Sequence, residues 1–319
     1  MRDLLRICII IIFLAVKAAH AGPMPPETAR ALDAMFVRAE APGMVAAVVV
    51  GDRTYIAGLG KVRPGTDAPP GGDTLVRINS LTKVMTGEIL AALLEQSRIR
   101  LDDPLQRYAP AHRAVPRANG ARAITLRDLA AHTSGLPRDL PPGLSRNARW
   151  AWLARTKPAR PPGGVAEYSN AAYMFLGDAL AAAAHESYPA LLDRLVTKPL
   201  ALADTTLSPT AEQCARLMRS GREDHPCAPT LAIGAMGGAY STATDMARWM
   251  RAHLNAEPGS PRAATHEPLV ASAKLKRLVR LDMAGEPDAI AMGWLAMRLG
   301  ALPVLQKTPK GQPSTAESV

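Results

Sequence analysis

Ser80-Leu81-Thr82-Lys83 sets a hydroxyl and an amine three positions apart at the start of a segment with helical apolar spacing. Residues i and i+3 are neighbours on a helix surface. The Lys83 amine can therefore take the Ser80 proton once burial and nearby positive charge favour its neutral form. A helix start also offers free backbone N–H groups and the positive end of the dipole to the oxyanion that forms when serine attacks a carbonyl. Asn79, just before the serine, reads as the cap. Leu81, Val84, Met85, Ile89, Leu93 and Leu94 recur at helical spacing and predict that one apolar face anchors this helix in a core. A Ser-x-x-Lys string arises about once by chance in a chain of this length and composition, so the chemistry needs partners.

Tyr168-Ser169-Asn170 supplies them. It follows the breaker Pro161-Pro162-Gly163-Gly164 and precedes an Ala/Leu-rich stretch, which predicts a loop entering a helix at about residue 171. A tyrosine hydroxyl can relay a proton between nucleophile and leaving group, and an asparagine amide can both donate to and accept from a substrate amide. Taken singly, Tyr168 reads more simply as a packed ring and Asn170 as a helix cap. Set downstream of Ser80 and Lys83 across a mainly helical stretch, they read as part of one site.

Together with the strings around and beyond them, these residues resemble the serine β-lactamases and penicillin-binding proteins of the class C-like branch, and within it the AmpH-type D-alanyl-D-alanine carboxypeptidase/endopeptidases. The strings are Arg77 to Lys83, Leu129-Ala130-Ala131-His132-Thr133-Ser134-Gly135-Leu136-Pro137, Glu167 to Asn170, and Gly237-Gly238-Ala239-Tyr240-Ser241-Thr242. Cys214 to Met218 with Cys227, and Leu305-Gln306-Lys307-Thr308, narrow it to the AmpH-like members, and the match runs in order from about residue 25 to 308. The resemblance implies an α+β fold of the serine β-lactamase/transpeptidase type, an antiparallel sheet flanked by helices plus an all-helical lobe. It implies Ser80 as the acylated nucleophile, Lys83 as its proton partner, Tyr168 as base or proton shuttle and Asn170 as a ligand of the substrate amide. Lys307 and Thr308 match the start of the Lys-Thr-Gly motif that faces a substrate's terminal carboxylate. The oxyanion would lie between the backbone N–H groups of Ser80 and Lys310. Which group is the base stays open between lysine and tyrosine.

The chain departs from that pattern at Pro309, which stands where the family has glycine, and in the polar stretch from Lys310 to Val319. Proline has a fixed φ and no N–H, whereas glycine allows close approach to a ligand. Relatives continue past the motif with a further strand and a C-terminal helix. Their loss here implies an open sheet edge, a partly uncovered N-terminal helix and a weakened far wall of the site.

The N-terminus reads as an export signal over residues 1–21: Arg2 and Arg6, an apolar run from Ile7 to Val16, and Ala19-His20-Ala21 as a small-x-small cleavage site. A membrane span needs about 20 apolar residues, and Lys17 ends this run first. Residues 22–308 then form one catalytic domain and 309–319 a polar tail, with a periplasmic location. Removal of Cys8 leaves Cys214 and Cys227, an even pair suited to a disulfide in an oxidising compartment. His225 beside them makes no recognised zinc spacing, and no metal or cofactor is expected. The formal net charge of +10 suits anionic envelope polymers or peripheral contact with the anionic inner-membrane surface, and equally a merely soluble surface. Scattered arginines without interleaved aromatics argue against nucleic acid.

The remaining elements fit one α+β unit. Residues 26–40 read as a helix, Met44–Val50 and Arg53–Leu59 as a hairpin through Gly51-Asp52, residues 80–218 as mainly helical, and 290–298 and 302–308 as strands. Strands at both ends predict a single sheet assembled from distant segments. Thr125-Leu126-Arg127-Asp128 is a capping box. His132 and Ser134 near Gly135 read as ordering a helix end, Gly237-Gly238 and Ser241 as a turn and cap for a helix over 244–254, and the four tryptophans as packing residues. No Gly-x-Ser-x-Gly elbow is present, which argues against an α/β-hydrolase.

The leading expectation is a periplasmic serine hydrolase of peptidoglycan metabolism that acts on stem peptides and is acylated by β-lactams. The alternatives are a class C-like β-lactamase or small-ester hydrolase on the same fold, and an inactive remnant that at most binds muropeptides.

Overall fold

The computed structural model describes residues 7–13, 23–118, 120–219, 226–282, 285–299 and 302–307. Its strands are β1 (Ile7–Phe13), β2 (Gly43–Val50), β3 (Arg53–Gly60), β4 (Val76–Arg77), β5 (Val165–Glu167), β6 (Tyr240–Ser241), β7 (Val270–Ala271), β8 (Arg277–Val279), β9 (Ala289–Ile290), β10 (Leu295–Leu299) and β11 (Leu302–Gln306). The helices are α1 (Pro26–Ala39), α2 (Thr82–Glu95), α3 (Leu126–Ala130), α4 (Arg146–Leu153), α5 (Asn170–Ala184), α6 (Tyr188–Leu192), α7 (Ala211–Ala215), α8 (Gly234–Gly237), α9 (Ala243–Leu254) and α10 (Pro261–Ala264).

The expected hairpin forms, with Gly43 opposite Gly60 and Val50 opposite Arg53. Nearly every residue of β2 is buried, as an unbroken apolar run requires of a strand covered on both faces. Met44, Ala46 and Val48 face Leu32 of α1. Val45, Ala47 and Val49 face the main core with α9. On the far side of β2 lies β1, parallel, with Ile7 opposite Gly43 and Phe13 opposite Val49. This strand falls within the apolar run expected to serve in export, and its isoleucines also suit a strand. The cleavage signature Ala19-His20-Ala21 lies outside the described residues.

The strands of the two chain ends do not form the single sheet that was expected. Among the described residues β1-β2-β3 is one sheet and β11-β10-β9-β7 another, with β4–β6 and the parallel pair β5–β8 apart. The edge of β2 that faces away from β3 is taken by β1, and the chain ahead of β10 is mounted on α2. Any Cβ at Gly87 would lie 2.4 Å from the Met292 carbonyl oxygen, and one at Gly293 would lie 2.8 Å from the Lys83 carbonyl oxygen. Two glycines thus let Met292–Trp294 cross α2 at backbone contact.

Helix α2 is buried on all sides from Thr82 to Leu93, so the single apolar face expected of it is a correction: a helix apolar all round runs through a core. Helices α5, α8 and α10 pack around it. Trp150, Trp249 and Trp294 are fully buried, in keeping with a packing role. Cys214 and Cys227 are joined in a disulfide with Cα atoms 5.6 Å apart, tying the end of α7 to the approach to α8. No helix among the described residues is long and apolar enough to cross a membrane.

Candidate active site

The nucleophile's mount is built from two distant strings. β4 pairs with β6, Val76 opposite Ser241, and the Ile78 N–H donates to the Ala239 carbonyl at 3.0 Å. This pairing delivers Ser80 to a short 3-10 turn, Asn79–Leu81, which continues into α2. Asn79 does not cap with its side chain, a correction to its sequence reading. It takes a left-handed backbone, φ 46°, which asparagine tolerates better than most residues, and its carbonyl accepts from the Thr82 hydroxyl at 2.7 Å. The Thr82 oxygen in turn accepts the Ala239 N–H at 3.2 Å. Gly238 is required for closeness, since a Cβ there would lie 2.9 Å from the Thr230 carbonyl oxygen. Helix α9 is capped by Thr242 rather than by Ser241, whose hydroxyl meets that of Thr205 at 2.8 Å.

Lys83 is fully buried. Its Nζ donates to Asn170 Oδ1 at 2.7 Å and to the Met236 carbonyl, and stands 3.3 Å from Ser80 Oγ. A charged ammonium would donate to all three. A neutral amine has two N–H bonds, which the two carbonyl oxygens occupy, and a lone pair left facing Ser80. Burial first, then the nearby charge of Lys307 and Arg138, with Asp139 opposing, hold the Lys83 ammonium well below the usual lysine range. On the other side of Ser80 Oγ lies the Tyr168 hydroxyl, in direct hydrogen-bond contact. Burial pushes the Tyr168 phenol up to about 12, so it rests as a protonated hydroxyl. Lys83 Nζ lies 4.9 Å from the Tyr168 ring centroid, and Lys307 Nζ lies 5.4 Å from it. Burial brings the Lys307 ammonium down to about 7.

The Tyr168–Asn170 segment is laced to the loop that follows α3. Tyr168 continues from β5, with its N–H on the Val279 carbonyl at 3.1 Å. Glu167 N–H donates to the His132 carbonyl at 2.9 Å, and Ser169 N–H donates to His132 Nδ1 at 3.0 Å. The Ser169 hydroxyl donates to the Pro137 carbonyl at 2.6 Å and accepts from Ala172 N–H at 3.0 Å. Ser169 is therefore the cap, and Asn170 is the first residue of α5, one position ahead of the predicted start. His132 stacks on Tyr168 with ring centroids 4.9 Å apart. Burial, then Lys307 and Lys83, hold its imidazolium form well below the usual range, consistent with an unprotonated Nδ1 that accepts from Ser169. The string read as ordering a helix end does so, with His132 at φ 59° just past α3 and the Thr133 N–H on the Asp128 carbonyl at 2.8 Å, and it also orders Tyr168. The capping box ahead of α3 forms as expected.

Ser80, Lys83, Tyr168 and Asn170 thus converge, and Lys307 at the end of β11 reaches them. Thr308 and Lys310 lie outside the described residues. Sequence reading missed the Met236 carbonyl, which has no side-chain signature. It also missed Asp139, whose Oδ1 accepts from Asn170 Nδ2 at 2.7 Å and which lies two residues past the Gly135-Leu136-Pro137 string that was singled out.

The family model described as Beta-lactamase matches residues 28–302. The chain is 40% identical over 296 residues to the D-alanyl-D-alanine-carboxypeptidase/endopeptidase AmpH of Escherichia coli (strain K12), covering 88% of this chain and 77% of that protein. Its fold matches the crystal structure of a β-lactamase/D-alanine carboxypeptidase from Yersinia pestis complexed with citrate, with TM-score 0.83 and 38% identity, over 88% of this chain and 83% of that one. A class C β-lactamase from Rhodobacter sphaeroides matches with TM-score 0.68 at 24% identity, over 84% and 74% of the two chains. The chain is a serine hydrolase that belongs to the beta-lactamase family.

Proposed function

We propose that the chain hydrolyses D-alanyl-D-alanine-type peptide bonds of peptidoglycan through an acyl intermediate on Ser80, and that β-lactams acylate the same serine. The observation that carries this reading is the placement of Ser80 Oγ between a buried amine, whose two other contacts are carbonyl oxygens, and a protonated tyrosine hydroxyl. Neutral Lys83 takes the Ser80 proton as Oγ attacks the carbonyl carbon. Negative charge grows on the carbonyl oxygen, which faces the Ser80 N–H at the leading turn of α2. Lys310 would supply the second N–H. As the C–N bond breaks, the Tyr168 hydroxyl gives its proton to the leaving amine, and the proton that Lys83 took from Ser80 restores the Tyr168 hydroxyl. Water then attacks the acyl-serine with the proton flow reversed.

On the acyl side, the free valences of the Asn170 amide meet the substrate amide. On the leaving side, Lys307 and Thr308 hold the terminal carboxylate, a role that a cation over the Tyr168 ring supports. In this reading residues 1–21 export the chain to the periplasm, residues 22–308 form the catalytic domain, and residues 309–319 form a tail. The basic surface favours anionic wall polymer and peripheral contact with the inner membrane. The names of the two relatives above, a carboxypeptidase/endopeptidase and a β-lactamase/carboxypeptidase, support the substrate class.

The test is covalent labelling by a fluorescent penicillin, with peptide mapping of the adduct and release of D-alanine from a peptide ending in D-alanyl-D-alanine. Labelling is expected at Ser80 and absent in Ser80→Ala. Labelling of another serine would overturn the assignment. Rapid loss of label from Ser80, with no D-alanine released, would make the chain a β-lactamase instead.

A further inference from the structure

Beside Ser80 and Lys83 stands an ion pair that neither the family pattern nor the mechanism above uses. Arg138 Nε lies 3.2 Å from Asp139 Oδ2, in the loop that packs on the start of α5. The Arg138 carbonyl accepts the Asn170 N–H at 2.6 Å and the Ala171 N–H at 3.2 Å, two of the donors that a helix start leaves unpaired. The same turn then carries Asp139 Oδ1 to 2.7 Å from Asn170 Nδ2. The opposite end of that amide, Oδ1, accepts from Lys83.

We propose that Asp139 is a positioning residue, whose carboxylate fixes the sense of the Asn170 amide so that Oδ1 faces Lys83 and the lysine lone pair is left for Ser80. The argument is one of donors and acceptors. An ionised carboxylate only accepts, so the amide end facing Asp139 must be the NH2 and the end facing Lys83 must be the carbonyl. With the amide turned over, two acceptors would meet at Asp139 and two donors at Lys83. Without Asp139 nothing on the loop side selects between the two senses, and the turned amide would draw the lysine lone pair away from Ser80.

The pair also has an electrostatic consequence. The charged or titratable groups around Lys83 are Lys307, His132, Tyr168, Tyr173, Arg138 and Asp139. Asp139 favours the ammonium and Arg138 opposes it. Below the pKa of Lys83 the base is protonated and acylation stops. Removing the Asp139 charge therefore moves the acid limb of acylation to lower pH, and removing the Arg138 charge moves it to higher pH.

This inference rests on the acyl-serine reading, and one experiment separates the two. The rate of Ser80 acylation by a fluorescent penicillin is measured against pH for the full chain and for Asp139→Ala, Asp139→Asn and Arg138→Gln. Asp139→Ala is expected to acylate at least about tenfold slower, as lost orientation of a catalytic group does. Asp139→Asn, whose amide can accept from Asn170 but can also donate and so no longer selects its sense, is expected to recover only part of the rate, with the acid limb about half a pH unit lower, as befits one partly solvated charge. Arg138→Gln is expected to move the limb the other way. Failure of the unaltered chain to be labelled at Ser80 defeats the underlying reading. Labelling with Asp139→Ala at full rate, or with both charge variants moving the limb in one direction, overturns the role of Asp139 alone.

Discussion

Replacing Gly293 with alanine should damage both stability and acylation, although the residue makes no polar contact with Ser80. Gly293 has φ 86°, a left-handed conformation that costs an L-residue about 1–2 kcal/mol. Its new Cβ would also lie 2.8 Å from the Lys83 carbonyl oxygen and the Val84 Cα, and 2.9 Å from the Lys83 carbonyl carbon. Those are backbone atoms of a helix buried on all sides, so they cannot swing aside, and overpacking of this kind adds roughly 1–3 kcal/mol. Gly259 supplies the control. It has a nearly equal φ of 83° with nothing within 4 Å of its Cβ position, so Gly259→Ala pays the conformational term alone. In thermal unfolding followed by circular dichroism, Gly259→Ala should lose about 2–4 °C and Gly293→Ala about 4–10 °C, at roughly 2 °C per kcal/mol for a domain of this size. The displaced Lys83 backbone should slow acylation at least about tenfold in Gly293→Ala and leave Gly259→Ala unchanged. Equal losses in the two variants, with acylation intact in both, would refute the view that Gly293 sets the seat of Lys83.

Three further outcomes are expected. Glu88 accepts from Trp249 Nε1 at 2.6 Å, meets His253 Nε2 at 3.2 Å and pairs with Arg262 Nε at 3.0 Å. Burial would raise its carboxyl, but the charges of His253 and Arg262 with their hydrogen bonds outweigh that, and the net shift is downward from 4.5. Its stabilisation is therefore complete above about pH 4.5 and is lost as pH falls through the lower folded-state value. Urea unfolding should show Glu88→Gln less stable by about 2–3 kcal/mol at neutral pH, with the difference closing in acid. Lys307, brought down by burial to about 7 in the free enzyme, should lose its charge as pH rises through that value. In steady-state assays kcat/KM for carboxylate-terminated peptides should then fall above about pH 7, and uncharged esters should escape this loss. Reduction of the Cys214–Cys227 disulfide, which spans 13 positions, should lower stability by about 3 kcal/mol, read as a shift in the urea midpoint between oxidised protein and Cys214→Ser/Cys227→Ser.

How much of this was legible in the sequence depends on whether a side chain or a backbone did the work. Ser80, Lys83 and Tyr168 stand out once their strings are taken together with the family resemblance, the disulfide pair by cysteine count, and the β2–β3 hairpin by its apolar run and Gly51-Asp52 turn. The site's other half is made of main chain. The Met236 carbonyl and the Ala239 N–H are available at any residue type, and only the glycines at 237, 238 and 293 hint that backbones come close there. Asn79 was misread because its side-chain type suggests a cap, whereas its use is a left-handed φ. His132 does close its helix as its sequence context suggests, but nothing local reveals that Ser169, far along the chain, also donates to its ring. The separation of the two terminal sheets was hidden for a similar reason. Strand character is local, but which strands pair depends on segments far apart in the chain, such as β1 on the outer edge of β2.

In the proposed mechanism Lys83 rests neutral, with its two N–H bonds on Asn170 Oδ1 and the Met236 carbonyl and its lone pair toward Ser80. The most direct test is carbon-13 NMR of the lysine ε-carbons in uniformly lysine-labelled protein, with Lys83 assigned by the signal missing in Lys83→Arg. Lys83 is held well below the usual lysine range, so this one ε-carbon should take the shift of a free amine at a pH where the surface lysines remain ammonium. A Lys83 signal that stays in the ammonium position until about pH 10 would contradict it, and would move the role of base to Tyr168.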